Sequence, residues 1–240
     1  MIENNHSNQP TQSVVKLRDV SFRWKEEMEP TLLIPSLEIQ SKQHLFIKGP
    51  SGCGKSTLLG LMTGINTAQE GEVSILDTDL STLKPSLRDH FRAEHIGYIF
   101  QQFNLLPYLS VLDNVILPCQ FSTLRKQRVQ GDIKQAAEQL LKRLHLPSTL
   151  IHKPVTELSI GQQQRVAAAR ALIGNPEIII ADEPTSALDH DNRSAFITVL
   201  MEEVERANST LIFVSHDPTL EPLFQRSINL KTINKAGLDS

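Results

Sequence analysis

Nine consecutive residues, Gly49-Pro50-Ser51-Gly52-Cys53-Gly54-Lys55-Ser56-Thr57, constrain this 240-residue chain more than any other stretch. They fit G-x-x-x-x-G-K-[ST], a phosphate-binding loop. Three glycines let the backbone reverse with its N–H groups pointing inward, and a helix starting near Lys55 adds the positive end of its dipole to the same concavity. Such a nest attracts an anion. Lys55 can reach the β and γ phosphates of a nucleotide, while the Ser56 hydroxyl is placed to ligate Mg²⁺. The alternative is a glycine turn before an ordinary helix, and the flanks disfavour it. The apolar run His44-Leu45-Phe46-Ile47-Lys48 predicts a strand entering the loop, and Ser56 to Thr63 predicts a helix leaving it.

Residues 1–13 are polar and are expected to form a flexible tail without chemistry. From Val14 to Trp24 apolar and polar residues partly alternate, Val15 and Leu17 against Val20, Phe22 and Trp24, which predicts a strand of a half-exposed antiparallel sheet. Leu37, Ile39, Val73 and Ile75 extend that pattern into a small β lobe beside the loop. Trp24, the one tryptophan, is either a rim residue of that lobe or a platform on which a purine stacks. Ile96 to Phe100 reads as a buried strand delivering Gln101 and Gln102 at its C-terminal end, where open α/β sheets bind ligands. One of these amides is a candidate for the metal or the attacking water; capping of backbone groups is the plainer alternative.

Between Phe103 and Leu158 the pattern turns helical. Ile133, Ala137, Leu140, Leu141 and Leu144 mark an amphipathic helix expected to stop at Pro147. The basic cluster Arg125, Lys126 and Arg128 reads as a solvated face, with anionic lipid headgroups as the alternative. Ser159 then opens a helix running to about Ile173, with Gln162 three residues on as its capping-box partner. A capped helix N-terminus is also a second anion site. Glu177 to Ala181 reads as a buried strand carrying two adjacent carboxylates, Asp182 and Glu183. Paired acids there call for a cation, Mg²⁺ at Asp182, and leave Glu183 to take a proton from water. Leu211 to Val214 is a further buried strand, ending at Ser215-His216-Asp217.

A hydrophobic fraction of 40% supports one sizeable core. A formal net charge of -3 argues against a broad nucleic-acid binder. Two cysteines, Cys53 and Cys119, form no disulfide framework and suit a reducing compartment. No apolar run approaches the roughly 20 residues that cross a bilayer, and the start lacks a signal peptide's features, so a cytoplasmic chain is expected.

Taken together, these residues resemble the nucleotide-binding subunit of an ABC transporter, over Val14 to about Ile233. The motifs stand in that family's order: phosphate loop 49–57, Q-loop Gln101, signature Leu158-Ser159-Ile160-Gly161-Gln162, Walker B Ile178 to Glu183, D-loop Ser186-Ala187-Leu188-Asp189 and switch His216. Residues Ala93 to Pro107 are similar to the ATPases of macrolide exporters, lipoprotein-release systems and the cell-division ABC complex. The resemblance implies an α/β P-loop NTPase core with a mainly parallel sheet, an N-terminal antiparallel β subdomain and an inserted helical subdomain at about 103–172, in one domain over 14–240. It implies ATP and Mg²⁺, the metal at Ser56, Gln101 and Asp182, and catalysis by Glu183, His216, Lys55 and Gln101. Nucleotide contacts would come from Trp24, residues 49–57 and, across a head-to-tail homodimer, Ser159, Gly161, Gln162 and Asp189.

The partners so implied are an integral membrane permease of the four-helix type and, if a substrate is exported, a periplasmic adaptor. The subunit would then be peripheral on the inner face of the cell membrane. The other reading is mechanotransmission, in which nothing crosses and an extracytoplasmic enzyme is switched. Soluble ABC proteins of DNA repair or translation fit less well, since those typically carry long coiled coils or two nucleotide sites in tandem and this sequence shows neither. A small-molecule P-loop kinase would leave the signature segment unexplained. Two residues depart from the family pattern: Trp24 for tyrosine, and Ile160 for glycine, which is strained if that position needs φ > 0.

Overall fold

The computed structural model describes residues 12–186 and 190–237. Among the described residues nine strands run in chain order: β1 (Ser13–Phe22), β2 (Leu32–Gln40), β3 (Leu45–Lys48), β4 (Glu70–Ile75), β5 (Thr78–Asp79), β6 (Ile96–Ile99), β7 (Ile178–Asp182), β8 (Thr210–Val214) and β9 (Arg226–Asn229). The α-helices are α1 (Lys55–Met62), α2 (Pro85–His95), α3 (Val111–Phe121), α4 (Thr123–Arg128), α5 (Ile133–Arg143), α6 (Ile160–Leu172), α7 (His190–Arg206) and α8 (Leu230–Ile233). The fold is α/β. A five-stranded sheet of order β6-β7-β8-β3-β9, parallel throughout, stands beside an antiparallel sheet of order β2-β1-β4-β5.

Side chains alternate across the parallel strands, and that alternation divides the core. Phe46, Ile99, Ile179, Ala181, Leu211 and Phe213 join a cluster with the residues of α3, α5, α6 and α7. Leu45, Ile47, Ile178, Ile180, Ile212 and Val214 join a second one with α1 and the antiparallel lobe. One sheet therefore fastens both lobes. Phe46 and Phe213 stack at 6.1 Å between centroids at the middle of the first cluster, with Phe224 tilted against each at 5.2 Å.

The lobe's first strand is more buried than a half-exposed sheet requires, and a bulge accounts for its broken alternation. Pairing of β1 with β4 shifts between Arg18 and Ser21, with Asp19 at φ 48°. The inward phase changes there, so Val15 and Leu17 before it and Val20 and Phe22 after it all enter the same buried cluster. Gly71 makes the turn possible: at φ 82°, any Cβ would lie 2.3 Å from the Asp19 carbonyl oxygen.

Two further expectations are corrected. Helix α5 ends before Pro147: His145 adopts φ 60°, its N–H donates to Lys142 O at 3.0 Å, and Leu146 N–H donates to Leu141 O at 2.9 Å. This is a Schellman turn, locked by burial of Leu141 and Leu146. Of the basic cluster only Lys126 is on a solvated face; the two arginines turn inward. Arg125 is 2% exposed and its guanidinium donates to Ala171 O at the end of α6. Arg128 forks onto Glu177 and also donates to Asn175 O at 3.0 Å, while His95 Nδ1 lies 3.0 Å from the same carboxylate.

Burial pushes the Glu177 carboxyl up, but the bonds from His95 and Arg128 outweigh it and hold its pKa at about 2, against an ordinary 4.5. The folded value is the lower one, so this stabilisation is complete above pH 4.5 and is lost as pH falls toward 2. Glu177→Gln is expected to flatten the acid-side decline of the urea midpoint over that window. An unchanged slope would show that the cluster is not what acid titrates.

Among the described residues, no helix is long and apolar enough to cross a membrane.

Candidate active site

The register of the parallel sheet decides what meets. Ile99 lies opposite Ala181, Asp182 opposite Val214, and Ile47 opposite Val214. The C-terminal ends of four neighbouring strands therefore release Gln101, Asp182 with Glu183, His216 and the phosphate loop along one edge. A cavity of about 670 Å³ opens there, lined by Trp24, Thr31, Ser51, Gly52, Gly54, Lys55, Ser56, Thr57, Gln101, Asp182, Glu183 and His216.

The loop is built as its residue types demand. Gly54 caps α1 at φ 100°, and a Cβ there would strike Leu32 Cδ2 at 2.7 Å. With no side-chain cap on α1, its first N–H groups remain available to an anion. Lys55 Nζ donates back to Gly49 O at 2.8 Å and Pro50 O at 3.1 Å, so the cation lies within the loop that would hold the phosphates. Pro50 and Cys53 instead line a neighbouring cavity with Lys231 and Asn234. Gly49 lines neither cavity and contributes its carbonyl.

Asp182 and Glu183 part company in backbone and environment. Asp182 ends β7, and its carboxyl is pushed up by burial and then by Glu183, against the opposing pull of Tyr98 and Lys55. Glu183 turns out of the strand at φ 47°, held by its N–H to Val214 O at 2.9 Å and by Ser186 N–H to its own carbonyl at 3.2 Å. Its side chain is 13% exposed, and Oε2 lies 2.8 Å from His216 Nδ1. A left-handed non-glycine residue persists where surrounding bonds over-determine it.

Trp24 is 60% exposed and meets Phe22 edge to face at 5.2 Å between centroids, which fixes the ring while leaving indole surface to the cavity. Ser56, Gln101 and Asp182 offer a hydroxyl, an amide oxygen and a carboxylate. That all-oxygen set suits Mg²⁺, and a buried acid with a raised pKa next to a second acid favours a cation. Among the described residues no cluster of three or more His, Cys, Asp and Glu could hold a metal without other donors. Phosphate oxygens and water would complete the shell.

Ser159, Gly161 and Gln162 are elsewhere. They form the N-terminus of α6, where Ser159 Oγ accepts from Gln162 N–H at 3.3 Å and Gln162 Oε1 accepts from Ser159 N–H at 2.9 Å. They do not line the cavity. Ile160 takes helical geometry and is absent from the positive-φ residues, so the strain expected of it does not arise. Its side chain is 53% exposed. Asp189 lies outside the described residues.

Several residues escaped the sequence reading. Tyr98 donates from its hydroxyl to Asp182 Oδ2 at 3.4 Å. Gln164, 1% exposed, donates to Pro184 O at 2.8 Å, bracing the turn at Glu183 from α6. Arg170 of the same helix donates to Phe103 O and Asn104 O at 2.5 and 2.7 Å, holding two successive left-handed residues just after Gln101. A tyrosine in an apolar strand, and a glutamine and an arginine on the buried side of a helix, were the available signals.

Comparison with known proteins agrees with this geometry. Residues 33–186 match the family described as ABC transporter. The lipoprotein-releasing system ATP-binding protein LolD of Saccharophagus degradans is 36% identical over 204 residues, 84% of this chain and 87% of LolD. The macrolide export ATP-binding/permease protein MacB of Pasteurella multocida is 35% identical over 92% of this chain, which spans only 33% of MacB. The ATP-binding cassette MJ0796 of Methanocaldococcus jannaschii, solved as a dimer in a post-hydrolysis state with ADP and Pi, superposes with a TM-score of 0.78. It is 36% identical over 90% of this chain and 94% of that one. The chain therefore belongs to the ABC transporter family, as one of its ATP-binding, ATP-hydrolysing cassettes.

Proposed function

We propose that two copies of this chain close on two ATP molecules, hydrolyse them and reopen, driving a membrane permease of the lipoprotein-release or macrolide-export type. One observation carries the two-copy reading. The cavity collects a phosphate nest, an aromatic platform and a carboxylate–histidine pair, while the capped N-terminus of α6, a second anion-seeking device, points to none of them. A relative solved as a dimer supports the view that α6 of one copy completes the cavity of the other.

In this reading Trp24 stacks on the adenine, Lys55 and the N–H groups of residues 51–57 hold the phosphates, and Ser159, Gly161 and Gln162 reach the nucleotide of the second copy. Ser56, Gln101 and Asp182 hold Mg²⁺, which when bound neutralises charge on the β and γ phosphates. Water attacks the γ phosphorus as its bond to the ADP oxygen breaks. Glu183 takes the water's proton, and His216 holds Glu183 and the γ phosphate in place. Gln101 lies where nucleotide state can move the helical layer, because Arg170 of α6 holds Phe103 and Asn104 just after it. Tyr108, just before α3, and Phe121, at its C-terminal end, are 78% and 70% exposed, two separate apolar side chains open to a permease.

Sedimentation of the full chain with ATP and Mg²⁺ tests the two-copy site, which requires a nucleotide-dependent dimer. A chain that hydrolyses ATP with first-order dependence on its own concentration and never dimerises would refute it. For the stacking role, Trp24→Ala is expected to weaken ATP by about 1–3 kcal/mol, roughly 5- to 150-fold in Kd. Titration with a fluorescent ATP analogue measures this; unchanged affinity would return Trp24 to a rim residue.

A further inference from the structure

His216 is 68% exposed, so the backbone that carries it must place its ring. The residue after it is tied on several sides. Asp217 Oδ1 accepts from the Thr219 N–H at 3.0 Å and the Thr219 hydroxyl at 2.7 Å, and Asp217 N–H donates to Ser215 Oγ at 3.1 Å. Oδ2 accepts from the guanidinium of Arg193. The two charged side chains are 22% and 15% exposed, so water competes weakly for the pair. Arg193 lies in the first turn of α7, the helix the chain enters after Glu183-Pro184-Thr185-Ser186. One ion pair therefore joins the segment leaving Glu183 to the segment bringing His216 back to it, and the two segments meet at the 2.8 Å contact of His216 Nδ1 with Glu183 Oε2.

We infer that Arg193 is a positioning residue for hydrolysis: through Asp217 it fixes the loop that sets His216 against Glu183. The inference rests on the roles proposed above for those two residues. Arginine suits the task because its planar fork holds a carboxylate in a defined orientation, which a lysine does as a point charge only. Without it the loop keeps its bonds to Thr219 and Ser215 and loses its register to α7. Arg193 is not among the residues that line the cavity, so the loss should fall on turnover.

Arg193→Gln is expected to lower kcat about tenfold while KM for ATP stays within about twofold, the pattern of a misplaced reacting group. Arg193→Lys should recover part of that loss. Added to His216→Ala, Arg193→Gln should lower kcat no further, because the side chain it positions is already gone. An unchanged kcat in Arg193→Gln, or the same tenfold loss with and without the histidine, would overturn the inference. Should Arg193→Gln fail to fold, the exchange Arg193→Asp with Asp217→Arg decides: recovery to within about threefold of wild type supports the ion pair, and a rate as low as that of His216→Ala refutes it. Full activity in His216→Ala alone would instead remove the proposed role of the histidine, and the positioning role with it.

Discussion

Glu183→Gln is expected to lower ATP hydrolysis by on the order of 10²- to 10⁴-fold, the typical contribution of a positioned general base. The amide keeps the size of the side chain but accepts no proton from water. Nucleotide binding should survive, since Lys55, the phosphate loop and Trp24 are untouched, and the closed dimer should accumulate because the step that reopens it is blocked. Single-turnover hydrolysis with sedimentation on the same sample checks both parts. Near-normal turnover would sink the role of Glu183 as base. The structure adds a reason to expect a large effect. Glu183 is held at φ 47° by two backbone bonds and faces His216 at 2.8 Å, so little else at this edge could take over its geometry.

Gly161→Asp is expected to abolish hydrolysis while leaving one nucleotide bound per chain with nearly normal affinity. The substitution puts a carboxylate in the first turn of α6, where the dipole tolerates it but a phosphate approaching from a second copy does not. Because Gly161 does not line the chain's own cavity, binding in cis has no reason to change. Equilibrium binding and steady-state turnover separate the two effects. Loss of binding together with turnover would point to misfolding or to a site within one chain. Partial activity in mixtures of wild-type and variant chains would show that each chain lends α6 to its neighbour.

Much of this edge could be read from residue order. The glycines before Lys55, the acids after a buried strand, the glutamine after Ile96–Phe100 and the histidine after Leu211–Val214 each sit at a change from apolar run to polar group. Helix α7 has no counterpart in the sequence reading, although Phe196, Ile197, Leu200 and Val204 stand at helical spacing and are buried. The bulge at Asp19 and the Schellman turn at His145 were also missed. Both need a non-glycine residue at positive φ, a conformation composition does not announce and tertiary packing imposes.

Chain order was enough to establish a phosphate loop, a strand-borne acid pair and a capped second anion site, because each depends on a few neighbouring residues and local backbone chemistry. Distances between them depend on register and strand order, which are set by packing across the whole sheet. Only the folded molecule placed β6, β7, β8 and β3 side by side, so that Gln101, Asp182, Glu183, His216 and Lys55 share one cavity. It likewise kept Ser159 out of that cavity, buried Arg125 where a solvated charge was expected, and brought Arg193 to Asp217 across 24 residues. Contacts of that range are settled by which buried surfaces fit together, and no local pattern encodes them.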